Sequence, residues 1–145
     1  MEPLLISACL LGMNCKYNGG TNALPEETIA ALRQCFELLS VCPEVEGGLP
    51  VPREPSERRG EGVFSCSGRD VTAAYQVGAA AALAMAQRHG CRMALLKERS
   101  PSCGCHGIYD GSFSGRLIPG LGVTAETLRH AGILVYGETE IDKLL

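Results

Sequence analysis

Three strand-like runs each deliver a cysteine at or just beyond their carboxyl end: Leu4-Leu-Ile-Ser-Ala-Cys9, Glu37-Leu-Leu-Ser-Val-Cys42 and, past Met93-Ala-Leu-Leu96, Ser100-Pro-Ser-Cys103. Helix-like segments separate the runs. Alternation of this kind favours an α/β fold on a mainly parallel sheet, because parallel neighbours need long crossover connections. In an open parallel sheet the carboxyl ends of the strands line one edge, and ligands bind there. Cysteines far apart in sequence are therefore expected to converge. Convergent thiolates without a CxxC pair point to a metal or iron-sulfur site with few protein ligands.

The rest of the chain fits the same architecture. A glycine-rich loop, Gly12 to Thr21, leads to a helix near Pro25 to Cys35, with Pro in the first turn and Glu26 and Glu27 complementing the helix dipole. Pro43 to Gly62 carries four prolines and mixed charge and reads as a long surface loop. Asp70 caps a long helix in which Val71, Ala74, Tyr75, Gly78, Ala81, Ala82 and Met85 recur at helical spacing until Gly90. Its small, alanine-rich face suits close packing. Met93 to Leu96 reads as a buried strand, Lys97 to Gly122 as a second glycine-rich loop, and Thr124 as the cap of a short helix. Ile133 to Tyr136 is a fourth strand and Glu138 to Leu145 a terminal helix. The expected fold is a small three-layer, Rossmann-like α/β domain spanning residues 1–145.

At 145 residues the chain has enough length to bury a core unaided. Eight cysteines would mean a disulfide framework in a small secreted protein, but Met1-Glu2-Pro3 opens no basic, apolar leader, so a reducing cytoplasm is the expected compartment. No apolar run has the length of a bilayer span. A net charge of -3 provides no basic field, which argues against long nucleic acid and leaves a small molecule as the partner.

Not every cysteine is a ligand candidate. Cys35 and Cys91, among apolar residues at element ends, read as small buried hydrophobes, and Cys66 as a turn residue. Cys15 and Cys105 lie in polar glycine-rich loops beside Cys9 and Cys103, so either is a possible fourth ligand. Glu44, directly after Cys42-Pro43, brings a carboxylate to the strand mouth, and Ser100 and Ser102 bracket the approach to Cys103. Backbone amides around Gly104 and Gly107 are candidates to face a thiolate or sulfide. Arg53, Arg58 and Arg59 alternate with Glu54, Glu57 and Glu61, the pattern of a solvated face. His89 and His130 suit the last turns of helices, and none of the three histidines shows zinc spacing with the cysteines.

The strings Ser7-Ala-Cys-Leu-Leu-Gly12, Cys42-Pro-Glu-Val-Glu-Gly-Gly48, Lys97-Glu-x-Ser-Pro-Ser-Cys-Gly104, Ile108-Tyr-Asp-Gly-Ser-Phe-Ser-Gly115 and Gly122-Val-Thr-Ala125 together resemble the thiouracil desulfidase family, over nearly the whole chain. The resemblance implies a 4Fe-4S cluster held by Cys9, Cys42 and Cys103, with one iron open to a substrate sulfur. An open iron that polarises C=S suits non-redox, hydrolytic conversion of a thiolated pyrimidine to uracil and hydrogen sulfide, for which Glu44 is the candidate base or proton donor and Ser100 or Ser102 the candidate proton relay. Tyr17, Asn18, Tyr109, Asp110, Ser112 and Ser114 are then the loop residues for a uracil-like ring. Lys16-Tyr17-Asn18 stands where the family commonly has Arg-Tyr-Asp, a change of donor and acceptor at the last position. Cys105-His106 is also unusual. The competing readings are a zinc-binding or redox-sensing module closed by Cys15 or Cys105, and a metal-free enzyme carrying a persulfide on Cys9 or Cys103.

Overall fold

The computed structural model describes residues 1–145. In β1 (Glu2–Ser7) the side chains alternate between two buried faces: Leu4 and Ile6 join one apolar cluster and Leu5 the other. Burial on both faces explains why this strand reads as an unbroken apolar run. Three parallel strands complete the sheet: β2 (Phe36–Val41), β5 (Met93–Leu96) and β8 (Leu134–Gly137), in the order β2-β1-β5-β8. Two antiparallel hairpins lie outside the sheet, β3 (Ser56–Arg59) with β4 (Gly62–Ser65) and β6 (Gly107–Tyr109) with β7 (Leu117–Pro119).

Helices cover both faces. Leu32 of α1 (Glu26–Cys35) packs with Leu4, Ile6, Phe36 and Leu95, and the carboxyl-terminal residues Ile141 and Leu144 lie against the same cluster. On the other face, α3 (Thr72–His89) contributes Ala82 and Ala86, and α4 (Val123–His130) contributes Ala125 and Leu128, against Leu5, Ala94, Leu96 and Val135. The fold is thus a three-layer, Rossmann-like α/β arrangement around a parallel sheet. No helix is long and apolar enough to cross a membrane.

The structure corrects several expectations. The segment Pro43 to Gly62 is not one loop: it contains a short helix, α2 (Pro43–Glu46), and strand β3. The Lys97 to Gly122 loop folds into the β6–β7 hairpin, and the terminal helix is a 3-10 segment, Glu138–Lys143, kinked at Glu140. Thr124 is not a cap but a buried residue inside α4, while Gly122 occupies the capping position. Asp70 acts from just outside α3, accepting the Thr72 amide at 2.9 Å.

The small face of α3 has a specific use. A Cβ on Gly78 would lie 1.9 Å from the carbonyl oxygen of Pro43, so only glycine admits α2 at this distance. The contact seats α2, and with it Cys42 and Glu44, directly at the carboxyl end of β2.

Candidate active site

The chain passes from β1 to β2 on one side and then to β5 on the other, so its direction of travel across the sheet switches at β1. Such a switch opens a crevice at the carboxyl ends of the strands. A cavity of about 460 Å³ lies there. Cys9 reaches it from the 3-10 turn Ala8–Leu11 after β1, Cys42 from the residue after β2, and Cys103 from the loop after β5. Cys15 lines the same cavity, and the Cys42 Sγ lies 3.8 Å from the Cys15 carbonyl oxygen. All eight cysteines are free thiols.

Burial pushes the Cys9, Cys15 and Cys103 thiols up, and polar neighbours oppose it. Cys103 is raised by desolvation against the opposing Ser7 and Ser102 hydroxyls. Cys9 is raised by burial, with Asn22 and the Lys97 ammonium pulling the other way. Cys15 is pushed up to about 12 by burial and by its neighbour Cys42. Buried soft donors of this kind are suited to a thiophilic metal or an iron-sulfur cluster, which takes the place of their protons.

Glu44, in the first turn of α2, is held at one oxygen only. Arg53 Nη2 donates to its Oε2 at 3.1 Å and the Tyr75 hydroxyl donates to the same oxygen at 2.9 Å. Its Oε1 has no protein partner and belongs to a residue lining the cavity. Arg53 also donates to the carbonyls of Cys15 at 2.9 Å and Pro50 at 3.2 Å, while its Nε is buried without a protein partner. Burial and the adjacent Glu44 carboxylate raise Tyr75, which keeps its hydroxyl a proton donor. Arg53 is therefore not part of a solvated face. Arg58 is buried as well, donating to the Leu121 carbonyl at 2.8 Å and to Glu126.

The loop carrying Cys103 is organised by two serines with different tasks. Ser100 lines the cavity, and its Oγ accepts the amides of Ser102 at 3.1 Å and Cys103 at 3.0 Å. The Gly104 amide donates to the Ser100 carbonyl. The amides of residues 102 to 104 are thus used within the loop and do not face a thiolate or sulfide, contrary to expectation. Ser102 is fully buried and does not line the cavity; its hydroxyl meets Thr124 Oγ1 at 2.8 Å. It anchors the loop to α4, where a Cβ on Gly122 would lie 2.4 Å from the Ser102 carbonyl carbon.

Of the residues assigned to a ring, Tyr17 and Tyr109 line the cavity and four do not. Asn18 Oδ1 accepts the Gly20 amide in its own turn. Asp110, Ser112 and Ser114 bond to one another in a loop fastened to Glu57, which accepts the amides of Gly111 and Phe113. Short polar side chains in a turn found local backbone partners there. Cys105 lies outside the cavity, grouped with His106 and Glu140, so it is not placed as a fourth ligand beside Cys9, Cys42 and Cys103. Cys91 is buried as expected, whereas Cys35 is exposed at the end of α1. Cys66 is exposed just beyond β4.

Several cavity residues escaped the reading of the sequence, among them Ser7, Lys97, Tyr75 and Arg53. Ser7 and Lys97 sit inside the motifs quoted above, and the Lys97 amide donates to Ser7 Oγ at 2.9 Å, joining β1 to the loop after β5. Tyr75 follows the helical spacing of a core residue, and nothing local marks Arg53.

Comparison with known proteins agrees with this geometry. Residues 4–140 match the family described as 2-thiouracil desulfurase. YbbK of Bacillus subtilis (strain 168), described as uncharacterized, is 43% identical over 152 residues, covering 98% of this chain and 99% of the relative. The solved structure of a [4Fe-4S]-dependent thiouracil desulfidase, TudS, superposes with a TM-score of 0.95 at 45% identity, covering 99% of this chain and 95% of that one. With the family match spanning nearly the full length and the fold shared throughout, the chain belongs to the 2-thiouracil desulfurase family.

Proposed function

We propose that this protein is an iron-sulfur-dependent desulfidase that hydrolyses a thiolated pyrimidine such as thiouracil, giving uracil and hydrogen sulfide without net oxidation or reduction. The carrying observation is one cavity that holds Cys9, Cys42 and Cys103 together with a Glu44 carboxylate tethered at a single oxygen. The donor set fits a 4Fe-4S cluster: three soft thiols come from the ends of three adjacent strands, and the Lys97 and Arg53 cations line the same space. Cys9, Cys42 and Cys103 would hold the cluster, which would supply Lewis-acid chemistry toward a thiocarbonyl sulfur.

The chain's own residues supply positioning and proton transfer. Glu44 Oε1, free of protein partners, takes a proton from the water that attacks the ring carbon, while Arg53 and Tyr75 hold Oε2 still. Ser100 is the proton relay: its Oγ accepts two amides, which orients the hydroxyl and leaves its O–H as a donor within the cavity. Tyr17 and Tyr109 offer aromatic walls for the pyrimidine. Replacement of C=S by C=O with water as the only co-reactant conserves electrons, so no external reductant is required. The 145 residues act as one catalytic unit in the reducing cytoplasm, where free thiols persist.

A second reading is favoured by Cys15 alone, since a fourth thiol in the cavity would complete a tetrahedral zinc site and leave no open position. Activity separates the two. Protein reconstituted anaerobically with iron and sulfide is given 2-thiouracil or 4-thiouracil without reductant. Uracil and sulfide are expected in equal amounts; turnover that strictly requires electrons, or none with either substrate, contradicts the proposal.

A further inference from the structure

Cys105, His106 and Glu140 form a group apart from the cavity. Their ligand atoms, one thiol sulfur, one imidazole nitrogen and one carboxylate oxygen, all lie within 4.8 Å of one another. The three come from two distant segments, the loop leading into β6 and the kink of the Glu138–Lys143 turn. We propose that they form a second metal site, for a divalent ion of the zinc class, distinct from the centre held by Cys9, Cys42 and Cys103.

The chemistry of the donors selects the ion. Zinc accepts sulfur, imidazole nitrogen and carboxylate oxygen together; with bond lengths of about 2.0–2.3 Å, a tetrahedral site requires the His106–Glu140 contact to open and the sulfur to sit within reach of both. Hard cations such as magnesium and calcium prefer all-oxygen sites. One thiolate and one carboxylate balance the two positive charges of the ion.

The carboxylate is already oriented. Glu140 Oε1 accepts the Gly137 amide at 3.0 Å, and Oε2 accepts from Lys143 Nζ at 2.9 Å. Such outer partners fix a ligand's direction. His106 Nε2 contacts Glu140 Oε1 directly, so the ion enters between two groups that already face each other. Cys105 is buried on the inner side, with its carbonyl accepting from Arg129 at 3.3 Å. The His106 side chain is 49% exposed, so the fourth position opens to water. Because Cys105 lies two residues beyond Cys103, the ion would staple the loop bearing a cavity cysteine to the carboxyl-terminal segment.

The test uses anaerobically reconstituted, full-length protein equilibrated with zinc ion, desalted, and analysed for both metals. One zinc per chain is expected beyond the iron. His106→Gln and Glu140→Gln should each weaken zinc binding at least about tenfold, the scale on which even outer-shell partners act, with iron content unchanged. X-ray absorption at the zinc edge should report one sulfur with nitrogen and oxygen neighbours. Since His106 is half exposed, its variant retains the fold and keeps the test decisive. No bound zinc, an all-sulfur shell, or equal zinc binding by His106→Gln would overturn the proposal and leave only a His106–Glu140 ion pair. Because iron and desulfuration are measured separately, failure here leaves the proposed function standing.

Discussion

Arg53 Nη2 lies 3.1 Å from Glu44 Oε2 where β2 opens into the cavity, with the Arg53 side chain 7% and the Glu44 side chain 16% exposed. The pair joins two segments nine residues apart and, through the Cys15 carbonyl, a third. It fixes the carboxylate through Oε2 and leaves Oε1 without a protein partner.

Replacing Glu44 by Gln keeps the shape and an acceptor for Arg53 but removes the proton-transfer group. Iron content should be unchanged, while sulfide release should fall by about 10²- to 10⁴-fold. Steady-state assays at equal iron loading check this, and normal turnover would remove Glu44 from the mechanism.

Arg53→Met leaves the partly buried Glu44 carboxylate with Tyr75 as its sole protein partner. Unfolding in urea should show a loss of about 1–3 kcal/mol, the scale of leaving a polar group short of a hydrogen-bond partner. Arg53→Lys should recover less than half of that, because a single ammonium cannot serve Glu44, Cys15 and Pro50 together.

In an ordinary helix Gly→Ala stabilises by up to about 1 kcal/mol. Gly78→Ala should do the opposite, destabilising by about 1–3 kcal/mol, because its methyl group meets the Pro43 carbonyl 1.9 Å away and α2 must move. Iron retention should fall in parallel, since Cys42 and Glu44 move with α2. Val77→Ala, at a 56% exposed neighbour, should shift thermal stability by no more than about 0.5 kcal/mol.

The same residues explain what could be read from the sequence. The Met93–Leu96 strand and the convergence of Cys9, Cys42 and Cys103 were legible because a buried parallel strand is an apolar run and its carboxyl end lies at the ligand-binding edge. Helix α2 was not, since four residues opening on a proline carry no periodicity and the element is held by its backbone contact with Gly78. Arg53 and Arg58 read as solvent-facing because their partners, Glu44 and Glu126, are set by tertiary folding rather than by helical or strand spacing. Asp110, Ser112 and Ser114 offered the polarity of a binding loop, but their hydrogen bonds are spent within the turn.

The most direct test of the account is the iron content of single cysteine variants reconstituted anaerobically. Wild-type protein and the Cys15→Ser, Cys35→Ser and Cys105→Ser variants should each carry about four iron per chain. Cys9→Ser, Cys42→Ser and Cys103→Ser should each lose the cluster while remaining folded by circular dichroism. Loss of iron in Cys15→Ser equal to that in the other cavity variants, or retention of four iron in any of the three, would contradict a cluster held by Cys9, Cys42 and Cys103.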